Sequence, residues 1–598
     1  MKRKLPAAAA AALVCLLFVN GCAGGSARTE TDTAAAGQDF RQFTRDIFID
    51  DVTSDGLTQH YELADPSAYG ISDADPTLGD LSADYDNSDD EENEETLRQL
   101  QTFDYDSLSA SDQVTYDLLE EVLQLNQDAA GPGLYYYSEP LTSMSGTHAM
   151  LPILMAEYEF YDQKDVDSYL KLLADVPRYL DQVLAFEQAK SKAGLFMSDT
   201  TADTVISSCQ SFIEDPGKNS LAEVFPEKVR TVEGLSQQNI DDYIKQNDDI
   251  IQNKVIPAYQ KLADGIEELK GTGKNDGGLA GFKRGKEYYG LLARQQTGTD
   301  LTPEQMITML ESGINDTLQE MFTLIGSDSS LYDKLNGPFD LGTEDPGQML
   351  SLLQEKILDE FPAAYTDKYT LKYVPEALED STNPAFYMTP PVDRPQQNVI
   401  YLNRAQTSGD MLYLFTTLAH EGYPGHLYQC SYYASTEPDP VREVMSWPGY
   451  QEGWATYVEN KAYGWAGLDE KVSQCLAYNS KATLLLYGRI DLGVNYEGWD
   501  QAAVKKYLDQ FGLGSDEAAK ELFDVVVGNP GSYLPYCIGM LEFDGLRESA
   551  QETAGDSFDP AAFHQYIMDF GPSSFTVLEE HMVRDGIIKE ETEEKPAA

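Results

Sequence analysis

Long helical segments dominate the middle of this sequence and constrain its fold more than any other feature. Residues 166–190, VDSYLKLLADVPRYLDQVLAFEQAK, place apolar side chains three and four positions apart, as one face of an amphipathic helix requires. In LTPEQMITMLESGINDTLQEMFTLIG (301–326), Thr302 stands where a helix cap is expected and Pro303 opens the first turn. Because similar patterning runs from about residue 100 to 280, we predict a mostly α-helical protein.

Strand-like segments are few. The best candidates are KYTLKYV (368–374) and NVIYLN (398–403), where β-branched and aromatic residues follow or precede turn-rich sequence. We therefore predict a small β-sheet beside the helix that follows.

At 598 residues the chain exceeds one ordinary domain. We expect an N-terminal helical region over residues 40–280, a catalytic region over 281–590 and a tail at 591–598.

The N-terminus has the form of an export signal. In MKRKLPAAAAAALVCLLFVNGCAGG, three basic residues precede an apolar run too short to cross a bilayer, and small residues end at Cys22. The segment resembles a bacterial lipobox, so we expect residues 1–22 to be a lipoprotein signal and Cys22 to be lipidated; cleavage at a plain signal site is the alternative. Residues 23–39 read as a flexible tether. The protein is then expected outside the cytoplasm, held on the lipid bilayer only by this anchor.

Charge and cysteine content exclude other classes. With 42 basic and 101 acidic residues, the formal net charge is −59, which opposes binding to nucleic acid. Beyond the signal, the cysteines are Cys209, Cys430, Cys475 and Cys537, none at the spacing of a redox or thiolate metal motif. We expect buried, unpaired cysteines, with a disulfide as the open alternative.

The segment LAHEGYPGHLYQ (418–429) carries the most informative motif. Zinc hydrolases place two histidines four residues apart on one helical face, but His420 and His426 are six apart, roughly 240° around a regular helix. Pro424 cannot donate to the preceding turn, and Gly425 permits unusual backbone angles. We predict a bulge or break that brings both histidines to one metal ion. A surface histidine beside an incidental glutamate, Glu421, is the alternative.

A third ligand is available downstream. In WPGYQEGWATYVENKAYGW (447–465), Glu452 lies on the polar face of an expected helix, and Glu459 lies two turns later. Glu452 would complete the three protein ligands of a catalytic zinc, one ion per chain, and Glu459 would support a ligand imidazole. Glu421 would then be the general base. A polar helix face turned toward solvent is the alternative.

Hydrolysis also needs a donor to the developing oxyanion. The segment GSYLPYCIGMLEFDGLR (531–547) offers Tyr533, Tyr536 and Arg547, and the residues alone do not choose among them.

Several long segments together resemble a known family. They are, in order along the chain, DRPQQNVIYLN, HEGYPGHLYQ, QEGWATYVE, RIDLGVNYEGW, SYLPYCIGMLEFDGLR and FHQYIMDFGPSSFTVLEEHM. They resemble the bacterial domain-of-unknown-function 885 family, whose motif His-Glu-x-x-Pro-Gly-His-x-x-Gln has the same wide spacing. The resemblance covers roughly residues 40–590. That family is similar to helical zinc metallopeptidases such as carboxypeptidase Taq and the angiotensin-converting-enzyme group, which implies a large multi-helix fold with a deep cleft.

The resemblance also implies residue roles. It makes His420, His426 and Glu452 the zinc ligands, Glu421 the base and Tyr536 the oxyanion donor.

Further roles implied by the resemblance concern the substrate. VIYLN would be an edge strand along which a peptide lies, with Tyr401 and Asn403 beside it. Arg394 and Arg547 would pair with carboxylates of substrate or protein. Asn495 stands where the family commonly has a histidine. If that histidine stabilises the transition state in other members, the difference implies slower catalysis or the use of another group in this protein.

These observations lead to one expected function and two alternatives. We expect an extracytoplasmic, lipid-anchored zinc metallopeptidase that hydrolyses peptides. The alternatives are a zinc hydrolase of a non-peptide amide or ester, and a catalytically inactive surface binding lipoprotein, which the Asn495 difference favours.

Overall fold

The computed structural model describes residues 36–72, 76–335, 337–374, 379, 383–407 and 409–590. Helices make up 68% of the structure, which confirms the mostly α prediction. The α-helices are α1 (Ala36–Val52), α2 (Gly56–Glu62), α3 (Ser88–Leu100), α4 (Ala110–Ala129), α5 (Thr147–Glu157), α6 (Gln163–Ala193), α7 (Asp199–Ile213), α8 (Ser220–Arg230), α9 (Gln237–Ile250), α10 (Ile256–Leu269), α11 (Gly285–Thr297), α12 (Pro303–Ser327), α13 (Leu331–Lys334), α14 (Pro346–Lys356), α15 (Arg404–Thr407), α16 (Met411–Glu421), α17 (His426–Ala434), α18 (Pro440–Val444), α19 (Pro448–Ala462), α20 (Glu470–Leu492), α21 (Gln501–Asp509), α22 (Asp516–Gly528), α23 (Leu534–Ala554), α24 (Pro560–Phe570) and α25 (Phe575–Arg584).

The start of α12 shows how local sequence sets a helix boundary. The Thr302 hydroxyl accepts a hydrogen bond from the backbone N–H of Gln305, whose side chain in turn accepts from the Thr302 N–H. Pro303 occupies the first turn, where its missing N–H costs nothing. The predicted cap is confirmed.

The sheet has three short strands, β1 (Thr370–Tyr373), β2 (Ala385–Met388) and β3 (Val399–Leu402), in the order β1-β3-β2. β3 pairs in parallel with β1 and antiparallel with β2. The two predicted strands are confirmed, but the prediction that VIYLN is an edge strand is wrong. It is the central strand, because the unpredicted β2 covers its second side.

The sheet lies between the two largest apolar clusters. On β3, Ile400 and Leu402 belong to a core built mainly by α11–α25, whereas Tyr401 belongs to a core built mainly by α5–α10. This alternation follows from the two-residue period of a strand. The expected boundary near residue 280 stays a prediction, as does the deep cleft.

The first helix packs against α18, where the Thr44 hydroxyl donates to Asp439 at 2.6 Å. Nearby, Glu62 has Asp51 and Glu443 as electrostatic neighbours, and we call these three residues the carboxylate cluster. Burial, together with its two neighbours, raises the pKa of Glu62 to about 8. Asp51 and Glu443 therefore both oppose the ionisation of Glu62.

Two other predictions concern chain chemistry and location. Cys209, Cys430, Cys475 and Cys537 are all unpaired, as expected. Across the described ranges, no helix combines the length and apolar character needed to cross a bilayer. The predicted signal with Cys22, and the 591–598 tail, lie outside those ranges, while α1 begins at Ala36, inside the segment predicted as a tether.

Candidate metal centre

The helix carrying the motif is broken between the two histidines, as predicted. α16 ends at Glu421, and α17 begins at His426. The Gly425 backbone passes so close to the end of α16 that a Cβ there would lie 1.7 Å from the His420 carbonyl oxygen. The indole N–H of Trp454 donates to the Pro424 carbonyl at 2.8 Å, which ties the connecting turn to α19.

The break brings three predicted ligands together. Glu452 Oε2 lies 3.4 Å from His420 Nε2 and 3.5 Å from His426 Nε2. The three atoms are buried, and none forms a regular hydrogen bond with another residue in the described part of the chain. Buried polar atoms without hydrogen bonds lower the stability of the folded protein unless a ligand binds them. Two imidazole nitrogens and one carboxylate oxygen facing one point therefore fit a zinc ion.

The electrostatics of the cluster favour positive charge at that point. Burial alone would raise the pKa of Glu452, but His426 and His420 outweigh it and lower the pKa to about 2. Burial alone would lower the pKa of His420, but the facing carboxylates of Glu452 and Glu459 raise it well above its ordinary value. Both pKa shifts have the same cause, a carboxylate and an imidazole held face to face.

Glu459 contacts the His420 ring on the side facing away from the other two ligands. Its carboxylate lies 3.0 Å from His420 Nδ1, on the opposite edge of the ring from Glu452. An N–H at Nδ1 that donates to this carboxylate leaves the Nε2 lone pair facing the cluster. Glu459 thus fixes the orientation of the ring and the tautomer that a metal requires.

Glu421, the residue after the first histidine, is 5% exposed. Its carboxylate accepts a hydrogen bond from the backbone N–H of Tyr387 at 2.8 Å, so a strand of the sheet holds it in place. Burial raises its pKa, although His420 and His426 oppose that shift. A buried carboxyl with a raised pKa, next to a metal cluster, is suited to accepting and releasing a proton.

Close contact between α19 and α23 places Tyr536 near the ligands. A Cβ on Gly453 would lie 2.4 Å from the backbone of Gly539, and one on Gly539 would lie 2.0 Å from the carbonyl oxygen of Gly449. Only glycine allows this approach. The ring of Tyr536, one turn before Gly539, lies 6.4 Å from that of His420.

Other predicted site residues lie elsewhere. Tyr533 packs on Tyr487 in an apolar cluster separate from the one around the ligand helices. Arg394 stacks over Tyr161 at 4.2 Å, and Arg547 lies 5.7 Å from the Phe558 ring centre. The two arginines are thus packed on protein rings rather than joined to the ligand cluster.

Tyr401, in the central strand, and Asn403, just after it, both have partners within the protein. Tyr401 stacks on Phe386 inside a core, and the Asn403 side chain donates to the Glu379 carbonyl at 2.7 Å. The buried Asn495 side chain donates to Asp491 and accepts from the Leu279 N–H, so its hydrogen bonds are made away from the ligands.

Sequence reasoning missed several residues that shape this centre. The backbone N–H of Tyr387 leaves no signature, because any non-proline residue supplies one. Trp454 has no sequence feature that predicts a polar contact, yet its indole N–H donates to the Pro424 carbonyl in the broken turn. The four-residue spacing of Gly449 and Gly453 was the available signal for close helix packing.

Comparison with known proteins places this chain in a family. The sequence profile of the family described as "bacterial protein of unknown function (DUF885)" matches residues 65–582. The chain belongs to this family. No functionally curated protein matches the chain significantly.

Two solved structures are similar to this DUF885 protein. One is described as "the putative lipoprotein from Colwellia psychrerythraea", with a TM-score of 0.81 and 18% identity over 92% of this chain and 99% of that one. The other is "a putative lipoprotein of unknown function from Shewanella oneidensis", with a TM-score of 0.60 and 16% identity over 91% and 99%. At such identities the similarity shows a shared fold.

Proposed function

We propose that this DUF885 protein is a zinc-dependent metallopeptidase. The observation that carries the proposal is the convergence of His420 Nε2, His426 Nε2 and Glu452 Oε2, buried and lacking regular hydrogen bonds in the described chain, next to the buried Glu421. A set of two histidines and one glutamate is typical of catalytic zinc sites that keep a position open. When bound, zinc supplies Lewis-acid activation of a water molecule and of a carbonyl group.

The proposed steps use residues of this chain. Glu421, held by the Tyr387 N–H, accepts a proton from the attacking water and passes it to the leaving amine. The hydroxyl of Tyr536 donates to the oxyanion that forms on the scissile carbonyl. His420 keeps its orientation through Glu459 during these proton transfers.

The sheet suggests how a peptide is aligned. β2 is an edge strand, and its Tyr387 N–H points away from β3 toward Glu421. Side chains and backbone groups alternate along a strand, so Ala385 presents its backbone groups in the same direction. We propose that extended substrates lie along β2, which replaces the central strand as the docking edge.

The proposed location is the extracytoplasmic face of the cell membrane, through the lipid anchor expected at Cys22. The basic and apolar N-terminal segment supports this location, and both similar structures are described as putative lipoproteins.

A metal analysis and one substitution test the function. Purified protein lacking the signal should contain about one zinc per chain, and Glu421→Gln should keep the zinc while lowering peptide turnover by at least about 1000-fold. Glu62→Gln, at a half-buried glutamate of the carboxylate cluster, is the control and should keep both zinc and turnover.

The substrate for this comparison is a peptide library digested by wild type and by both variants. Zinc-free protein, or full turnover by Glu421→Gln, would refute the mechanism. Glu421-dependent cleavage of model esters or non-peptide amides, with the library untouched, would favour the alternative hydrolase. A zinc-loaded wild type that cleaves nothing would indicate a binding lipoprotein.

A further inference from the structure

The helix that carries Tyr536 has no cap of its own. α23 begins at Leu534, and Tyr536 is in its first turn, after Pro535. Tyr533, at the capping position, provides no side-chain hydrogen bond to the helix. The N–H groups before and at a helix start need acceptors, and without them the first turn frays.

Asp491, on α20, supplies the acceptor from another helix. Its carboxylate accepts from the Gly531 N–H at 2.9 Å and from the backbone N–H of Tyr533. Asp491 is completely buried, and burial raises its pKa to about 6, although its hydrogen bonds oppose that shift. A buried carboxylate with such contacts orients the segment leading into α23 far more firmly than water would.

Two side chains hold Asp491 itself. The Tyr289 hydroxyl donates to it at 2.7 Å, and Asn495 Nδ2 donates at 2.9 Å. Asn495 also donates to the Val526 carbonyl at 2.9 Å and accepts from the Leu279 N–H at 3.0 Å. Asn495 lies in a π-helical turn, Gly493–Glu497, that continues α20. The carboxylate is therefore fixed by segments from three parts of the chain.

We propose that Asp491 is a positioning residue that sets the place of Tyr536 beside the metal centre. The glycine contact between α19 and α23 fixes the distance between these helices, and Asp491 fixes the start of α23. The proposal rests on the proposed function, since it concerns the donor to the oxyanion. Asn495 then contributes through Asp491, without contacting substrate.

This role predicts an effect on turnover rather than on substrate binding. A displaced Tyr536 hydroxyl loses contact mainly with the oxyanion, which exists only after attack, so kcat should fall while KM changes little. Removing one oxyanion donor typically costs about 100- to 1000-fold in kcat, and misplacing it costs part of that. We expect Tyr536→Phe to lose about 100-fold or more and Asp491→Asn about 10- to 50-fold.

A double-mutant cycle on the zinc-loaded protein tests this coupling. If Asp491 acts through Tyr536, the double variant should be no slower than Tyr536→Phe within about threefold. Additive losses in kcat would overturn the proposal. Tyr259→Phe is the matched control, because it removes a buried tyrosine hydroxyl that donates to the His148 carbonyl, outside the Asp491 network; its kcat should stay within about threefold of wild type.

Two further readouts separate positioning from general structural damage. A phosphinic peptide, which mimics the tetrahedral state, should bind the Asp491→Asn variant at least about 10-fold more weakly than it binds wild type. A simple hydroxamate should bind the variant and wild type equally. Equal losses for both ligands would overturn the proposal.

If Asp491→Asn does not fold, Asn495→Ala can replace it in the same double-mutant cycle, because it removes one donor to the Asp491 carboxylate. Asn495→Ala alone should lower kcat about threefold, and this loss should disappear when Tyr536 is already phenylalanine. A loss that persists there would overturn the proposal. Glu421→Gln is run in parallel: if it retains turnover, the proposed function fails, independently of the cycle.

Discussion

Gly425→Ala should disable the metal centre through the backbone alone. The added Cβ would lie 1.7 Å from the His420 carbonyl oxygen and 2.5 Å from that of Ala419. Real Cβ contacts do not fall below 3.0 Å, so the turn and the end of α16 must separate by at least 1.3 Å. The neighbouring His426 would move with the turn. Zinc ligands tolerate errors of about 0.2 Å, so one ligand is lost.

We expect zinc affinity to fall by at least about 100-fold and stability by about 1–3 kcal/mol. The assay is competition with a chromophoric chelator, with thermal unfolding of the metal-free protein measured alongside. Gly326→Ala, in α12, is the control, because a Cβ there meets nothing within 4 Å. It should leave zinc affinity unchanged and stabilise the helix slightly. A folded Gly425→Ala protein that binds zinc within threefold of wild type would refute this reasoning.

Two other predictions concern carboxylates. Glu459→Gln weakens the acceptor for His420 Nδ1, so zinc affinity measured by the same competition should fall about 10- to 100-fold; an unchanged affinity would show that Glu459 does not support the ligand. Glu62→Gln tests the carboxylate cluster. Folded protein keeps the Glu62 proton up to about pH 8, whereas an unfolded chain releases it near pH 4.5, so stability falls as pH rises between these values. The variant should melt several degrees higher than wild type at pH 8.5 and equally at pH 4; a shift that is the same at both pH values would contradict this.

The sequence was most informative where local rules decide the structure. The capped start of α12, the strands at 370–373 and 399–402, and the break after Glu421 all follow from neighbouring residues. β2 was missed because AFYM is too short to show a period and lies between prolines. Without it, the order of the sheet, and therefore which strand forms the edge, could not be deduced.

Contacts between distant segments were beyond sequence reasoning. Asp491 reaches Gly531 across 40 residues, and Tyr387 reaches Glu421 across 34. Both depend on how whole helices and strands pack, which no local pattern encodes. Asn495 illustrates the limit best. Its difference from the family residue suggested altered chemistry at the site, whereas in the structure its side chain donates to Asp491 and to the Val526 carbonyl.

The break between α16 and α17 gives the ligand pair an unusual tolerance. In a continuous helix, one inserted residue rotates everything after it by about 100° and separates two ligands on the same face. Here His420 lies in the last turn of one helix and His426 begins another, so a change of length falls in the turn between the helices and does not rotate one ligand around a shared axis. Loop variation during evolution can therefore alter the spacing of the motif without dismantling the centre. Searches that demand a fixed interval between histidines will overlook proteins built this way.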